Sequence, residues 1–340
     1  MHVQLLVPDL INSSADLRPL ARLDAAETLL AKGRRSTLTT ASTEDWLAAR
    51  YELEQPSLAA FSLLGDGGSP GDRVWLRADP VHLRVDRDTL VLADSSVFPL
   101  NMDEATALAA SLNAHFSPML EIQAPHPERW YARLQSPTQS RFRPTAAARG
   151  QPITAQLPRG EDGMHWHALM NEAQMLLHEH PVNEAREARG ELPVNSIWLW
   201  GEGSGGSAMP AADTRPFERV LSDDAVARGL GLGSGASVAA LPADAAAWLT
   251  DVPATGNTLI VLDALRAPAA YDETDAWQEA AQKLERDWFA PLLAALRTGR
   301  IGMLTLHLLT DKGGVASETV RLDLNRFWRR RKPLSHYVTA

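Results

Sequence analysis

Three aspartates stand directly after short apolar runs: Asp9 after LLVP, Asp263 after LIVL and Asp311 after LHLLT. Such runs suit strands buried in a parallel sheet, and ligands of open α/β sheets collect beyond the carboxyl ends of the strands. Carboxylates gathered there repel one another unless a cation lies between them, so the pattern suits a site for a metal ion or a basic group. The competing reading is that each Asp merely caps the turn after its strand. A second concentration of chemistry is His180–Gly203, HPVNEAREARGELPVNSIWLWGEG. It gathers one His, two Asn, two Arg, two Trp and the Gly-flanked Glu202 around one short strand. Arg186 and Arg189, three apart on one helical face, could grip an anion.

Other motifs point elsewhere or nowhere. His165 and His167 are two apart, as are His178 and His180, so neither pair forms an i,i+4 metal clip. His167, Asn171, Gln174 and His178 follow helical spacing and read as a hydrogen-bonded stripe. The glycines of Gly229–Gly235 follow a helix instead of joining a strand to a helix, the wrong geometry for cradling phosphate. Gly201–Ser207 does follow a strand, and its amides could approach an anion. Arg329–Lys332, RRRK, is a short basic run after Trp328. In an acidic chain with no second basic stripe it reads as solvated or partner-facing, and nucleic acid is not the expected partner. No P-loop is present.

The elements that must position these residues are of two kinds. Val3–Pro8, Ser196–Trp200, Phe217–Ser222, Leu259–Leu262 and Ile301–Leu309 read as strands, Val238 as part of another, and Val315–Leu322 as an edge strand. Helices are predicted at 21–32, 43–53, 160–180, 223–232 and 275–297. Their alternation predicts a mainly parallel α/β sheet flanked by helices. Between them, strands at 74–85, 89–93, 119–123 and 130–135 with a helix at 102–115 suggest a small inserted α+β domain. The expected division is a core of residues 1–70 and 160–340, with an insert and linker at 71–159. The 340 residues carry a net charge of −9 and no cysteine, which excludes disulfides, thiolate zinc sites and a Cys nucleophile. No apolar stretch is long enough to span a bilayer, and MHVQLLVPDL lacks a signal peptide's basic start, so the expected location is cytoplasmic.

In order, LLVPD (5–9), WLRADPVHLRVD (75–86), HPVNEAREARG (180–190), NSIWLWGEG (195–203), LIVLD (259–263) and LHLLTDKG (306–313) resemble the archaeal-type cofactor-independent phosphoglycerate mutases of the alkaline-phosphatase superfamily. They resemble more closely the RpfE-type bacterial regulatory proteins related to them. The resemblance implies an alkaline-phosphatase-like fold. In the active mutases a Ser or Thr nucleophile works with two metal ions held by Asp and His after the core strands. Asp9 falls where the first metal Asp belongs. Asp263 falls where Asp is followed shortly by Gly-His, but AlaLeuArgAlaProAlaAlaTyr follows here. Asp311 falls where Asp-His belongs, but Lys312 follows, and a nucleophile motif is missing around Ser36–Ser42. An ammonium has no lone pair to give a metal. The expectation is therefore that Lys312 lies among Asp9, Asp263 and Asp311 and offsets their charge, with no catalytic residue, metal or cofactor. Asn183, Arg186, Arg189, Asn195 and Glu202 would line a cleft for a small anionic ligand or a protein partner. The function implied is non-catalytic and regulatory. The alternatives are a metal-dependent phosphomutase or phosphohydrolase with an altered site, and a structural subunit of a larger complex.

Overall fold

The computed structural model describes residues 1–11, 22–40, 42–54, 56–86, 88–205, 215–251, 255–310 and 312–337. Asp311 lies outside the described residues, as do Gly206 and Ser207 of the glycine loop, Ala21 of the first predicted helix, Ala41 and Arg87. The chain divides into two compact units, Met1–Glu54 with Pro210–Ala340, and Gln55–Met209. The second unit is therefore wider than the expected insert of 71–159.

The first unit is built on a seven-stranded sheet. Its order is Ser237–Ala239, Arg219–Leu221, Asn257–Val261, His2–Pro8, Met303–Thr310, Gly313–Val320, Arg34–Leu38. The first five strands are parallel, Gly313–Val320 runs antiparallel to them, and Arg34–Leu38 pairs antiparallel with Gly313–Val320. His2–Pro8 is central because six of its seven residues are buried, as a strand covered on both faces requires. The mixed α/β architecture and the mainly parallel sheet are those expected from sequence. Helices pack on the sheet through Leu29, Leu30, Trp277, Leu284, Phe289, Leu292 and Leu296. The predicted helix over 275–297 is interrupted. Thr274–Leu284 runs into a wider π turn at Glu285–Phe289 before Ala290–Thr298 completes it. In that turn the Glu285 carboxylate accepts hydrogen bonds from the amides of Ala25 and Ala26, which begin the helix Asp24–Lys32. Tertiary capping thus accounts for what the turn does. Gly299, left-handed at φ 81°, ends the helix.

The second unit is an antiparallel sheet. The long strand Val74–Asp86 pairs with Ser196–Ser204 along one edge and with Arg129–Leu134 and Thr89–Asp94 on the other. Leu120–His126 completes it beside Arg129–Leu134. The helix Met102–Phe116 starts at a reciprocal cap between Asn101 and Glu104. The helix predicted over 160–180 spans Gly163–His178, and Pro181 does more than stop it: a separate helix, Pro181–Ala188, begins there with proline in its first turn. A helix at Leu58–Gly65 and the 3-10 turn at Ile153–Ala155 were not anticipated. Among the described residues no helix is long and apolar enough to cross a membrane.

Candidate functional site

The carboxyl ends of the parallel strands in the first unit carry acids, as the strand-end pattern suggested. Asp9 follows His2–Pro8 with a left-handed backbone, φ 62°, a conformation that costs a non-glycine residue energy. Two hydrogen bonds hold it there: its amide donates to Leu309 O at 3.0 Å, and Trp277 Nε1 donates to its carbonyl at 3.0 Å. Asp263 follows Asn257–Val261 and is half-buried. Its carbonyl accepts from the Arg266 amide at 3.0 Å, which closes a tight turn. That turn starts the short helix Arg266–Ala270.

Two further acids join this end of the sheet and were not singled out from sequence. Asp224 follows Arg219–Leu221 and caps the helix Ala225–Gly233, accepting from the Ala227 amide at 2.8 Å. Glu44 sits in the first turn of the helix Thr43–Arg50, where Ser42 and not Thr43 is the cap, accepting from the Asp45 amide.

A cation lies among them. Arg266 Nη2 is 3.0 Å from Glu44 Oε1, and Nη1 is 3.9 Å from Asp224 Oδ2. The three side chains are 17, 7 and 18% exposed respectively, so water screens the charges weakly. Burial works against the Arg266 charge, but Glu44, Asp224 and then Asp9 outweigh it and raise its pKa. Burial pushes the Asp224 carboxyl above its usual range; Arg266 pulls it down, while Glu44 and Asp263 push it up. The acids therefore form one electrostatic cluster around a fixed guanidinium.

The expected cation was Lys312, and its position is different. Lys312 is exposed, and its amide donates to Thr310 Oγ1 at 3.2 Å. Thr310 pairs with Gly313 across an antiparallel hairpin, next to Lys312. Among the described residues Lys312 makes no ion pair.

Among the described residues the set does not supply the ligands of a two-metal phosphoryl-transfer centre. Such a centre needs several oxygen and nitrogen ligands facing the ions. Among the described residues no group of three or more His, Asp or Glu side chains is arranged to hold a metal ion. A guanidinium has no lone pair to donate, and it occupies the electrostatic position of a cation.

The residues expected to line a ligand cleft are mostly consumed by the fold of the second unit. Asn183 is buried; its amide nitrogen donates to Leu177 O and Val194 O, and its oxygen accepts from the Val194 amide. Asn195 imitates a strand partner, accepting from the Leu83 amide and donating to Leu83 O. Arg186 is fully buried over Phe98, donating to Leu192 O, Pro99 O and Glu104. Arg189 is exposed and paired with Glu104 and Glu191. The two arginines therefore grip this unit's own acids instead of an external anion. Glu202 is partly buried, and burial raises its carboxyl pKa. His180 caps the helix that follows it and bonds Ser111, and His167 bonds Pro158 O.

The second unit also holds a polar network that sequence reading missed. Arg77 is buried between the Tyr131 and Trp200 rings, with its guanidinium 5.2 and 5.1 Å from their centroids. It donates to Asp79, which also accepts from Thr145 and Trp200. The alternation of Val74–Val85 hid it, because it is built from inward-facing polar positions.

No protein-family model matches the chain. It is 35% identical over 140 residues to the 2,3-bisphosphoglycerate-independent phosphoglycerate mutase of Methanothrix thermoacetophila, covering 39% of this chain and 34% of that one. It is 28% identical over 197 residues to the same enzyme of Methanosarcina mazei, covering 54% and 49%. These matches show homology to cofactor-independent phosphoglycerate mutases, and they span about a third to a half of the length of those relatives. A Pyrococcus horikoshii protein of solved structure aligns with 94% of this chain and 87% of its own, at a TM-score of 0.55 and 12% identity, a likeness of fold. A cofactor-independent phosphoglycerate mutase from Thermoplasma acidophilum aligns with 98% of this chain and 93% of its own, at a TM-score of 0.47 and 15% identity.

Proposed function

We propose that this chain is a phosphoglycerate-mutase-like protein that does not transfer phosphoryl groups and acts by binding a protein partner or small anion, with a regulatory outcome in the bacterial cytoplasm. The RpfE-type resemblance points the same way. The observation that carries the reading is Arg266. A guanidinium 3.0 Å from Glu44 and 3.9 Å from Asp224 supplies positive charge where phosphoryl transfer would call on divalent ions. It cannot bind a water and lower its pKa, and at neutral pH it cannot accept a proton. Charge balance is kept, whereas the chemistry of a metal-bound nucleophile is not.

The retained acids Asp9, Asp224 and Asp263 favour a second reading, a metal-dependent phosphomutase or phosphohydrolase with an altered site. Incubation of purified protein with 3-phosphoglycerate and Mn²⁺, Zn²⁺ or Mg²⁺ separates the two. We expect neither 2-phosphoglycerate nor free phosphate above background, and no stoichiometric metal after gel filtration. Turnover that disappears in Asp9→Asn would establish the second reading and end the first.

A further inference from the structure

The RRRK run is not an isolated basic stretch once the first unit is folded. It closes a groove of about 650 Å³ lined by Arg22, Lys32, Arg297, Phe327 and Arg329–Arg331, among others. Arg22 and Arg331 are paired with Glu27 and Asp24. Among the described residues Lys32, Arg297, Arg329 and Arg330 have no carboxylate partner. Two of these are fixed in place: Lys32 Nζ donates to Arg326 O at 2.6 Å, and Arg329 donates to Gly33 O at 2.6 Å. Their charges are thus held in position and, among the described residues, have no carboxylate partner. The acidity of the chain as a whole acts weakly here, because at physiological salt a charge is screened beyond about 8 Å.

One bare aromatic ring, Phe327, lines the groove with these cations, and the Trp328 ring touches it. Phe327 is 83% and Trp328 65% exposed, and their rings meet edge to face at 5.1 Å. Arginine forks match phosphate oxygens in pairs, and an exposed ring next to them offers a surface on which a base can stack. We propose that this groove binds single-stranded nucleic acid, with phosphates on Lys32, Arg297, Arg329 and Arg330 and a base on Phe327. An acidic peptide would satisfy the cations but leave both rings in water. A duplex would hide the base faces the rings need.

The test is fluorescence anisotropy of the full chain with a labelled 12-nucleotide oligothymidylate between 50 and 200 mM KCl. Four neutralised phosphates give a log–log salt slope of about −3 for a single strand, an affinity loss of about 50-fold across that range. Arg297→Ala with Arg330→Ala should roughly halve the slope. Phe327→Ala should weaken binding by about fivefold or more and leave the slope unchanged. All three changed side chains are on the surface, and circular dichroism checks that the variants fold. Absence of binding at 50 mM KCl, equal affinity for a duplex, or full competition by polyglutamate with no effect of Phe327→Ala would each overturn the proposal. The last result would assign the groove to an acidic protein surface instead.

Discussion

Replacing Arg266 by alanine tests whether the strand-end acids depend on it. At an effective dielectric constant of about 20, unit charges 3.0–3.9 Å apart attract by about 4–6 kcal/mol per pair. Burying the guanidinium costs much of this, so the net worth of the cluster is smaller. Removing one partner is different, because Glu44 and Asp224 remain in place without their counter-charge. Loss of one side of a buried pair destabilises by about 3–5 kcal/mol, and that is the loss expected here at pH 7 in urea unfolding. The penalty must also depend on pH. Arg266 opposes the rise of the Asp224 pKa, so its removal lifts that pKa further above the unfolded value. A carboxyl with a raised folded pKa takes up protons more readily in the folded state, so the variant recovers stability as pH falls from 7 toward 5. Glu44→Gln placed on Arg266→Ala should recover part of the loss by removing an uncompensated charge. Arg266→Met serves if the alanine variant does not fold. A loss below about 1 kcal/mol, equal at pH 7 and 5 and untouched by Glu44→Gln, would refute the account of a guanidinium-centred cluster.

Four shorter predictions accompany it. His307 is 1% exposed, with Nε2 donating to Gln4 Oε1 at 2.9 Å, and burial lowers its pKa to about 3. Because the unfolded chain takes up this proton first, the contribution of a neutral His307 is complete above about pH 6.5 and is lost as pH falls toward 3, about 2 kcal/mol of it between pH 7 and 5; His307→Gln should flatten that part of a stability–pH profile. Arg186→Met should cost about 2–3 kcal/mol in thermal or urea unfolding, because a fully buried guanidinium loses its bonds to Glu104 and to the Leu192 and Pro99 carbonyls. Arg189→Ala, at an exposed position, should shift the melting temperature far less, and equal effects would contradict the burial argument. Gly201→Ala should destabilise by about 1–3 kcal/mol, since φ is +74° and a new Cβ would stand 3.0 Å from the Ala59 backbone nitrogen.

Sequence revealed the acids at the strand ends because a buried parallel strand is a continuous apolar run, and the residue that ends the run is conspicuous. It did not reveal what sits among them. Arg266 lay in the stretch after Asp263 that was noted for the His it lacks, and nothing in AlaLeuArgAlaPro says that a one-turn helix will send the arginine toward Glu44, more than two hundred residues away. Lys312 was chosen because it stands where the resemblance puts a His after Asp311, but a place in sequence does not aim a side chain, and Lys312 is exposed. Asn183, Arg186 and Asn195 show the opposite error. Polar residues crowded at a junction suggested a cleft, yet each spends its hydrogen-bonding capacity on backbone or on Glu104. Helix ends and strand edges need such partners as much as ligands do.

The same limit explains why the basic groove was invisible. Arg329–Lys332 reads as a run, but its effect depends on Arg22, Lys32 and Arg297, which lie near other helix ends. In both places the deciding quantity is whether a cation has a carboxylate beside it. Arg266 is neutralised from within the fold, so it stabilises structure and offers little to a ligand. Arg297 and Arg330 have no such partner among the described residues, and a phosphate that reaches them gives up water without displacing an internal acid. Binding is therefore expected at the groove and not at the strand ends. Arg297→Ala and Arg330→Ala should consequently change affinity for an oligonucleotide with little change in unfolding, whereas Arg266→Ala should change unfolding with little change in that affinity.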